Sequence, residues 1–315
     1  MRKWRRIYAR DTSFRPPPAG LLRHTLETLN PHALWLEALS RDAALPSSGL
    51  DLPVATAAVR PDPQNPGSGY LSLLHFVNDR LTLTTLMEML AEELYPHGIR
   101  KLLGPTHVFP FIGGGSLSSH WHLPVPCDTP YQPPYASEHL RALLRPVETL
   151  RLFHFETTLG PTSVPGVMLR RLEPHRLATD LLPLLQNVVL PYAVTEMEAK
   201  AMLRWLEPYQ PAGFWAAYPS DPEIAVGFVL LYGERSSLIR PNARRTGRLW
   251  GGVREEAKRQ GIGIALLEAG LSGARERGWG SLSIGPISEG GSAAAFLKSE
   301  GGIPVQHYTL YRRGN

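Results

Sequence analysis

Apolar residues recur three and four positions apart along Leu81 to Tyr95, and the run stops at Pro96 and Gly98, which predicts an amphipathic helix. The same spacing predicts helices over Leu21 to Leu39, Glu138 to Leu144, Pro174 to Leu190, Thr195 to Trp205, Gly261 to Arg277 and Ser292 to Ser299. Alternating or short continuous apolar runs bounded by turn residues predict strands instead. Asp51 to Arg60 and Gly69 to Asn78 flank the Pro/Gly/Asn-rich turn Pro61 to Gly67 and read as a hairpin. Lys101 to Leu103, Glu148 to Thr157, Val164 to Leu172, Phe214 to Tyr218, Ile224 to Gly233, Gly247 to Val253, Ser281 to Ile284 and Val305 to Arg312 complete the strands. Residues 106–135 read as loop, with Gly113 to Gly115 and several prolines. Strands and helices in this alternation point to an α/β sheet with helices on both faces.

A chain of 315 residues exceeds what one core usually serves, so two domains are expected. The pattern also carries a faint internal repeat. A helix, Gly98-Ile99 and Leu102-Leu103-Gly104-Pro105 in the first half match a helix, Gly278-Trp279 and Leu282-Ser283-Ile284-Gly285-Pro286 in the second. The apolar content of 43% is enough for each half to bury a core. A formal net charge of +5 favours anionic ligands, but basic patches with interleaved aromatics are absent and nucleic acid is not expected as a partner. A single cysteine, Cys127, excludes an intrachain disulfide and a cysteine-based metal site. His120 and His122 flank Trp121 without a further ligand nearby in sequence, so no metal is expected. No apolar run reaches membrane-spanning length, and the basic N-terminus, interrupted by three prolines between Ser13 and Gly20, does not read as a signal peptide. The expected location is cytoplasmic, with residues 1–20 an irregular arm.

The chemistry concentrates after the strand ending at Val253. Lys258-Arg259-Gln260 lead into Gly261-Ile262-Gly263-Ile264-Ala265, which open a helix apolar on one face. Unsatisfied amides at a helix start, together with the helix dipole, make an anion site. Glycine lets the backbone approach a phosphate closely. A diphosphate suits this arrangement. A P-loop is excluded, because Gly-Lys-Ser/Thr does not follow the loop, and a dinucleotide fingerprint is disfavoured, because Leu266 stands where its third glycine belongs.

Basic residues followed by Gly-x-Gly resemble the Gln/Arg-x-x-Gly-x-Gly/Ala motif of the GNAT (GCN5-related) N-acetyltransferases. Ser292 to Gly302, with Phe296, resembles the family's second motif. The likeness covers roughly residues 160–315. It implies two GNAT-like domains, each a mixed, mostly antiparallel twisted sheet flanked by helices, over residues 21–160 and 161–315. It implies acetyl-CoA as co-substrate, held by Gly251, Val253, Lys258, Arg259, Gln260, Gly261, Ile262, Gly263, Ile264, Ala265, Ser292 and Phe296. It also implies direct acetyl transfer to a primary amine of a small molecule or peptide. The first half has no glycine or basic cluster at the equivalent place, Leu81-Thr82-Leu83-Thr84, and reads as a degenerate copy. A monomer containing an intramolecular pseudo-dimer is expected, with a homodimer as the other arrangement.

The sequence departs from the family at several points. Lys258 replaces Arg/Gln, Gly290 stands in place of Asn, Gly302 in place of an aromatic, and Leu297 where many members carry the tyrosine that protonates the departing thiolate. Candidates for acid–base work are then Tyr308 and Glu223, each with a plainer reading, as a core aromatic and a solvated turn carboxylate. Ser292 is equally suited to a helix N-cap, and the arginine run 235–248 to a solvated loop. The competing functional class is a non-catalytic coenzyme A-binding or scaffolding protein.

Overall fold

The computed structural model describes residues 19–29, 31–38, 52–157, 166–173, 177–187, 194–218, 221–233 and 246–314, apart from residues 124, 127 and 131. These fall into two compact units. Unit 1 holds the residues up to Thr149 and again those from Tyr308 onward; unit 2 holds Leu150–His307.

In unit 1, helix α1 (Ala19–Leu29) is followed by β1 (His32–Ala38), β2 (Leu52–Pro61), β3 (Ser68–Phe76), α2 (Arg80–Leu94), β4 (Lys101–Thr106), the two-residue β5 (Ser116–Leu117) and α3 (Pro134–Leu143). β1, β2 and β3 pair antiparallel and β3 pairs parallel with β4. The sheet is closed by the far end of β12 (Ile303–Arg313), antiparallel to β4 with Tyr311 opposite Gly104. The periodicity of Leu21 to Leu39 predicts one helix, but the helix stops at Leu29 and His32–Ala38 form a strand on β2. Pro31 supplies the break, since proline disfavours helix at the residue before it. β5 lies within the stretch that reads as loop, because Tyr308 and Thr309 offer it a backbone ladder that no local pattern announces.

Unit 2 begins with the Leu150–Glu156 portion of β6 (Arg145–Glu156). It continues through β7 (Met168–Leu172), α4 (Leu177–Asn187), α5 (Glu196–Leu206), β8 (Ala212–Tyr218), β9 (Asp221–Gly233), β10 (Thr246–Val253), α6 (Ile262–Glu276), β11 (Ser281–Ser288) and α7 (Ser292–Ser299). The predicted start of α5 is met by a capping box. Thr195 Oγ1 accepts from the Glu198 amide, and the Glu198 carboxylate accepts from the Thr195 amide at 2.6 Å. The strand order is β7-β8-β9-β10-β11-β6, antiparallel throughout except for the parallel β10/β11 pair.

Both units therefore share a core of three antiparallel strands (β1–β3 and β8–β10), a helix crossing to a parallel strand, and an antiparallel closing strand; unit 2 adds β7 at its edge. The repeat read from the sequence is matched element by element. The Gly104-Pro105 and Gly285-Pro286 peptides, both cis, occupy equivalent strands. The compact units are not the continuous stretches 21–160 and 161–315, because the strand that closes each sheet comes from the other half of the chain.

Each core sits between the sheet and its crossover helix. In unit 2, Ile262, Leu266, Leu267, Leu271 and Ala274 of α6 pack on Leu231, Leu249, Leu282, Phe153 and Phe155. Burying such side chains contributes roughly 1.5–3 kcal/mol each. In unit 1, Leu83, Leu86, Met87, Leu90 and Leu94 of α2 pack on Ala55, Val59, Leu71 and Phe76. Unit 1 also buries two imidazoles. Burial pushes His75 down to about 3, and His107 down to about 4 against the opposing pull of Asp128.

Candidate functional site

The site starts where β10 and β11 part. Parallel pairing runs from Thr246 opposite Ser281 to Leu249 opposite Ile284 and ends there. β10 continues through Trp250 to Val253 bonded to β9, while β11 bends away, its next partners on β6 being Arg151 and Leu150. A fork therefore opens between Trp250–Val253 and a β11 edge that begins at Gly285, since Ser283 and Ile284 are still paired. Gly251 lies on this open stretch. A Cβ there would meet the Phe228 carbonyl oxygen at 2.1 Å, so glycine is what allows β10 to close on β9.

After Val253 a single 3₁₀ turn, Glu255–Ala257, leads to the loop. Arg259 (φ 62°) and Gly261 (φ +80°) both adopt the left-handed region. Alternating backbone of this kind turns successive amides toward one concavity. Gly261 caps α6 without a side-chain hydrogen bond, and the first helical bond is from the Ala265 amide to the Gly261 carbonyl. Among the described residues the amides of Arg259 to Ile264 donate no hydrogen bond. An exposed helix N-terminus with its donors open is an anion site.

The predicted loop residues divide by role. Ile262 and Ala265 turn their side chains into the core, at 1% and 2% exposure, leaving only their backbone to the site. Lys258 is paired with Glu255 at 2.5 Å, and Gln260 Nε2 donates to the Glu256 carbonyl, so Arg259 brings the uncompensated cation among the described residues. Ile264 is half-buried and Val253 packs against the core. The second motif meets the first through Phe296, whose ring lies 3.4 Å from where a Gly263 Cβ would stand. Ser292 is the first residue of α7; the cap is Gly291.

The acid–base candidates fare differently. Tyr308 is fully buried opposite Leu117 in unit 1, whereas the loop belongs to unit 2. The Glu223 side chain lies outside the described residues, as do Cys127 and residues 234–245 of the arginine run. Arg248 is not a solvated loop residue. It sits on β10 at 1% exposure, and its guanidinium donates to the Gly285 carbonyl where the fork opens. Leu297 is buried in the core. His120 and His122 lie in a turn rather than on a strand, with His120 Nδ1 on Ser119 Oγ at 2.8 Å.

The equivalent helix start in unit 1 is occupied by the protein itself. Asp79 caps α2, accepting from the Leu81 amide at 3.3 Å and the Thr82 amide at 2.8 Å. The Thr82 hydroxyl and these amides hold its carboxyl below the usual range. One helix thus carries its own anion and the other presents open donors. The cap is signalled in sequence by Asp79 followed three residues later by Thr82. Asp79→Ala is expected to lower stability by about 1 kcal/mol, as N-cap truncations do; denaturant titration reads it, and an unchanged midpoint would remove the cap from the account.

No protein-family model matches the sequence, and no curated protein matches it. Solved structures do. A tandem GNAT protein from the clavulanic acid biosynthesis pathway, in a form without acetyl-CoA, superposes with TM-score 0.59 at 13% identity, covering 98% of this chain and 92% of its own. The fold is that of the GCN5-related N-acetyltransferases in tandem. A glucosamine N-acetyltransferase region of a fungal multi-domain GH3 β-N-acetylglucosaminidase gives TM-score 0.58 at 16% identity, over 99% of this chain and 36% of that one. A GCN5-related N-acetyltransferase from Sphaerobacter thermophilus gives 0.51 at 15% identity, over 84% and 77%. No described helix is long and apolar enough to cross a membrane.

Proposed function

We propose that this chain is an acetyl-CoA-dependent N-acetyltransferase whose coenzyme site is the Gly261 loop of unit 2, with unit 1 a degenerate copy that binds no coenzyme. The observation that carries the reading is the open N-terminus of α6, facing a fork in the sheet, set against the capped N-terminus of α2. The amides of Ile262 to Ile264 and the Arg259 guanidinium suit the two phosphates of coenzyme A. The open backbone of Trp250 to Val253 suits the amide-bearing arm between diphosphate and thiol, which needs an unpaired strand edge to bond to. Bound there, acetyl-CoA supplies the activated acyl group; the chain's task is to orient it, exclude water and move the amine's proton.

The burial of Leu297, where the family commonly has an acid, favours a second reading, coenzyme binding without turnover. Thiol release from acetyl-CoA separates the two across a panel of a small amine, an amino acid, an aminoglycoside and a peptide with a free N-terminus. The enzyme reading expects amine-dependent release from at least one of them. Binding of acetyl-CoA with no release from any would establish the second reading instead.

A further inference from the structure

We infer that His154, on β6, is the base that removes the proton from the acceptor amine. This inference rests on the acetyltransferase reading above.

Its placement follows from register. Ser283 pairs with Arg248 on one side and with His154 on the other, so Arg248, Ser283 and His154 form one row across β10, β11 and β6. Phe153 and Phe155, the neighbours of His154, point into the core beneath α6 and α7. Side chains alternate along a strand, so His154 and its row lie on the opposite face. The next row on that face repeats the polar character, with Thr246 Oγ1 and Ser281 Oγ 3.1 Å apart and Glu156 opposite Ser281.

The row adjoins the fork. Pairing of β10 with β11 ends one residue beyond Arg248 and Ser283, and Trp250, edge-on to Phe228, follows on the same face. Strand spacing of about 4.8 Å and a rise of about 3.3 Å per residue put His154 one strand and one or two residues from the fork mouth, within reach of an imidazole or of one intervening water. The α6 face is filled by the core, which leaves the face that carries His154 for the amine; Arg248 and Ser283 on that face are buried, and His154 is the half-buried member of the row.

The imidazole is suited to the task. It is half-buried and makes no hydrogen bond among the described residues, so a lone pair is open. Burial lowers its pKa below the ordinary histidine value, against the pull of Glu156, so it is neutral near pH 7. The charged groups around it are Glu156 on its own strand and Arg248 beyond Ser283; β11 presents only Ser281 and Ser283, and the imidazole of His307 lies near Glu289. In the step proposed, His154 forms an N–H bond with a proton of R–NH3⁺. The freed nitrogen lone pair bonds to the thioester carbonyl carbon as the C–S bond breaks with its electrons to sulfur. His154 returns a proton to the sulfur, and the second amine proton leaves to solvent. The sum is R–NH3⁺ plus thioester giving amide, thiol and H⁺.

The test compares wild type with His154→Gln in three readouts. Calorimetric binding of acetyl-CoA is expected to change less than threefold. Thiol release with the panel amine that wild type accepts is expected to fall about 100-fold or more in kcat/KM, the usual scale for losing a general base. Release with hydroxylamine, which is already deprotonated at pH 7, is expected to fall far less. In labelled wild-type protein the His154 imidazole titrates by NMR at the pH where kcat/KM falls on the acid side. Equal losses with both nucleophiles, no loss with either, or a pH limb displaced from the imidazole titration would each overturn the assignment. A wild type that binds acetyl-CoA yet acetylates no amine would overturn the acetyltransferase reading and this inference with it.

Discussion

Gly261→Val weakens acetyl-CoA binding about 100-fold, roughly 3 kcal/mol, the worth of one or two charge-assisted hydrogen bonds. Gly261 sits at φ +80°, which a β-branched residue does not occupy. The valine forces the loop into another conformation, and the amides of Ile262, Gly263 and Ile264 no longer converge on one anion. The helix behind the loop stays, because Ile262, Leu266 and Leu271 anchor it in the core at 0–2% exposure. The loss is therefore in affinity rather than in fold. Isothermal titration with acetyl-CoA reads it, and a melting curve checks that the fold persists. Lys258→Ala is expected to matter far less, since its ammonium is already taken by Glu255.

The second large effect is on stability below neutral pH. His75 and His107 are buried in unit 1 and held at about 3 and about 4, against 6.5 in the unfolded chain. Above pH 6.5 both groups are neutral in both states and contribute nothing to the pH dependence. Below it the unfolded chain takes up two protons that the folded chain refuses, so stability falls with pH until each folded pKa is reached. At pH 5 each imidazole costs about 2 kcal/mol, together about 4 kcal/mol. His75→Gln with His107→Gln removes both protonation sites and should flatten denaturant midpoints between pH 7 and pH 5 relative to wild type. If both proteins lose stability equally over that range, the acid sensitivity lies elsewhere.

Much of this was legible in the sequence, for identifiable reasons. The turn into α6 at Gly261 is legible because its signal is local: basic residues, two glycines and an amphipathic helix in one stretch. The repeat reads correctly because Gly-Pro after a strand recurs at nearly the same offset from a helix-ending glycine. What is carried by distant partners does not read. β1 is hidden because His32 to Ala38 continue the apolar spacing of α1 across Pro31, and only β2 shows that they are a strand. The closing strand of each sheet comes from the other half of the chain, and nothing in β6 or β12 announces which sheet it joins. His154 escapes notice for the same cause. Alternation predicts that it faces away from Phe153 and Phe155, but only the pairing with Ser283 puts it beside the fork. Arg248 ends the arginine run and also lies in the predicted strand Gly247 to Val253; it belongs to the strand, and its burial depends on partners that no local pattern shows.

The central claim is that coenzyme binding belongs to the open helix start of unit 2 and not to the self-capped one of unit 1. Calorimetric titration of acetyl-CoA into the full chain tests it most directly. The account predicts one equivalent bound per chain, with the affinity lowered about 100-fold by Gly261→Val and unchanged by Asp79→Ala. No binding at millimolar acetyl-CoA, or two equivalents per chain, would contradict it.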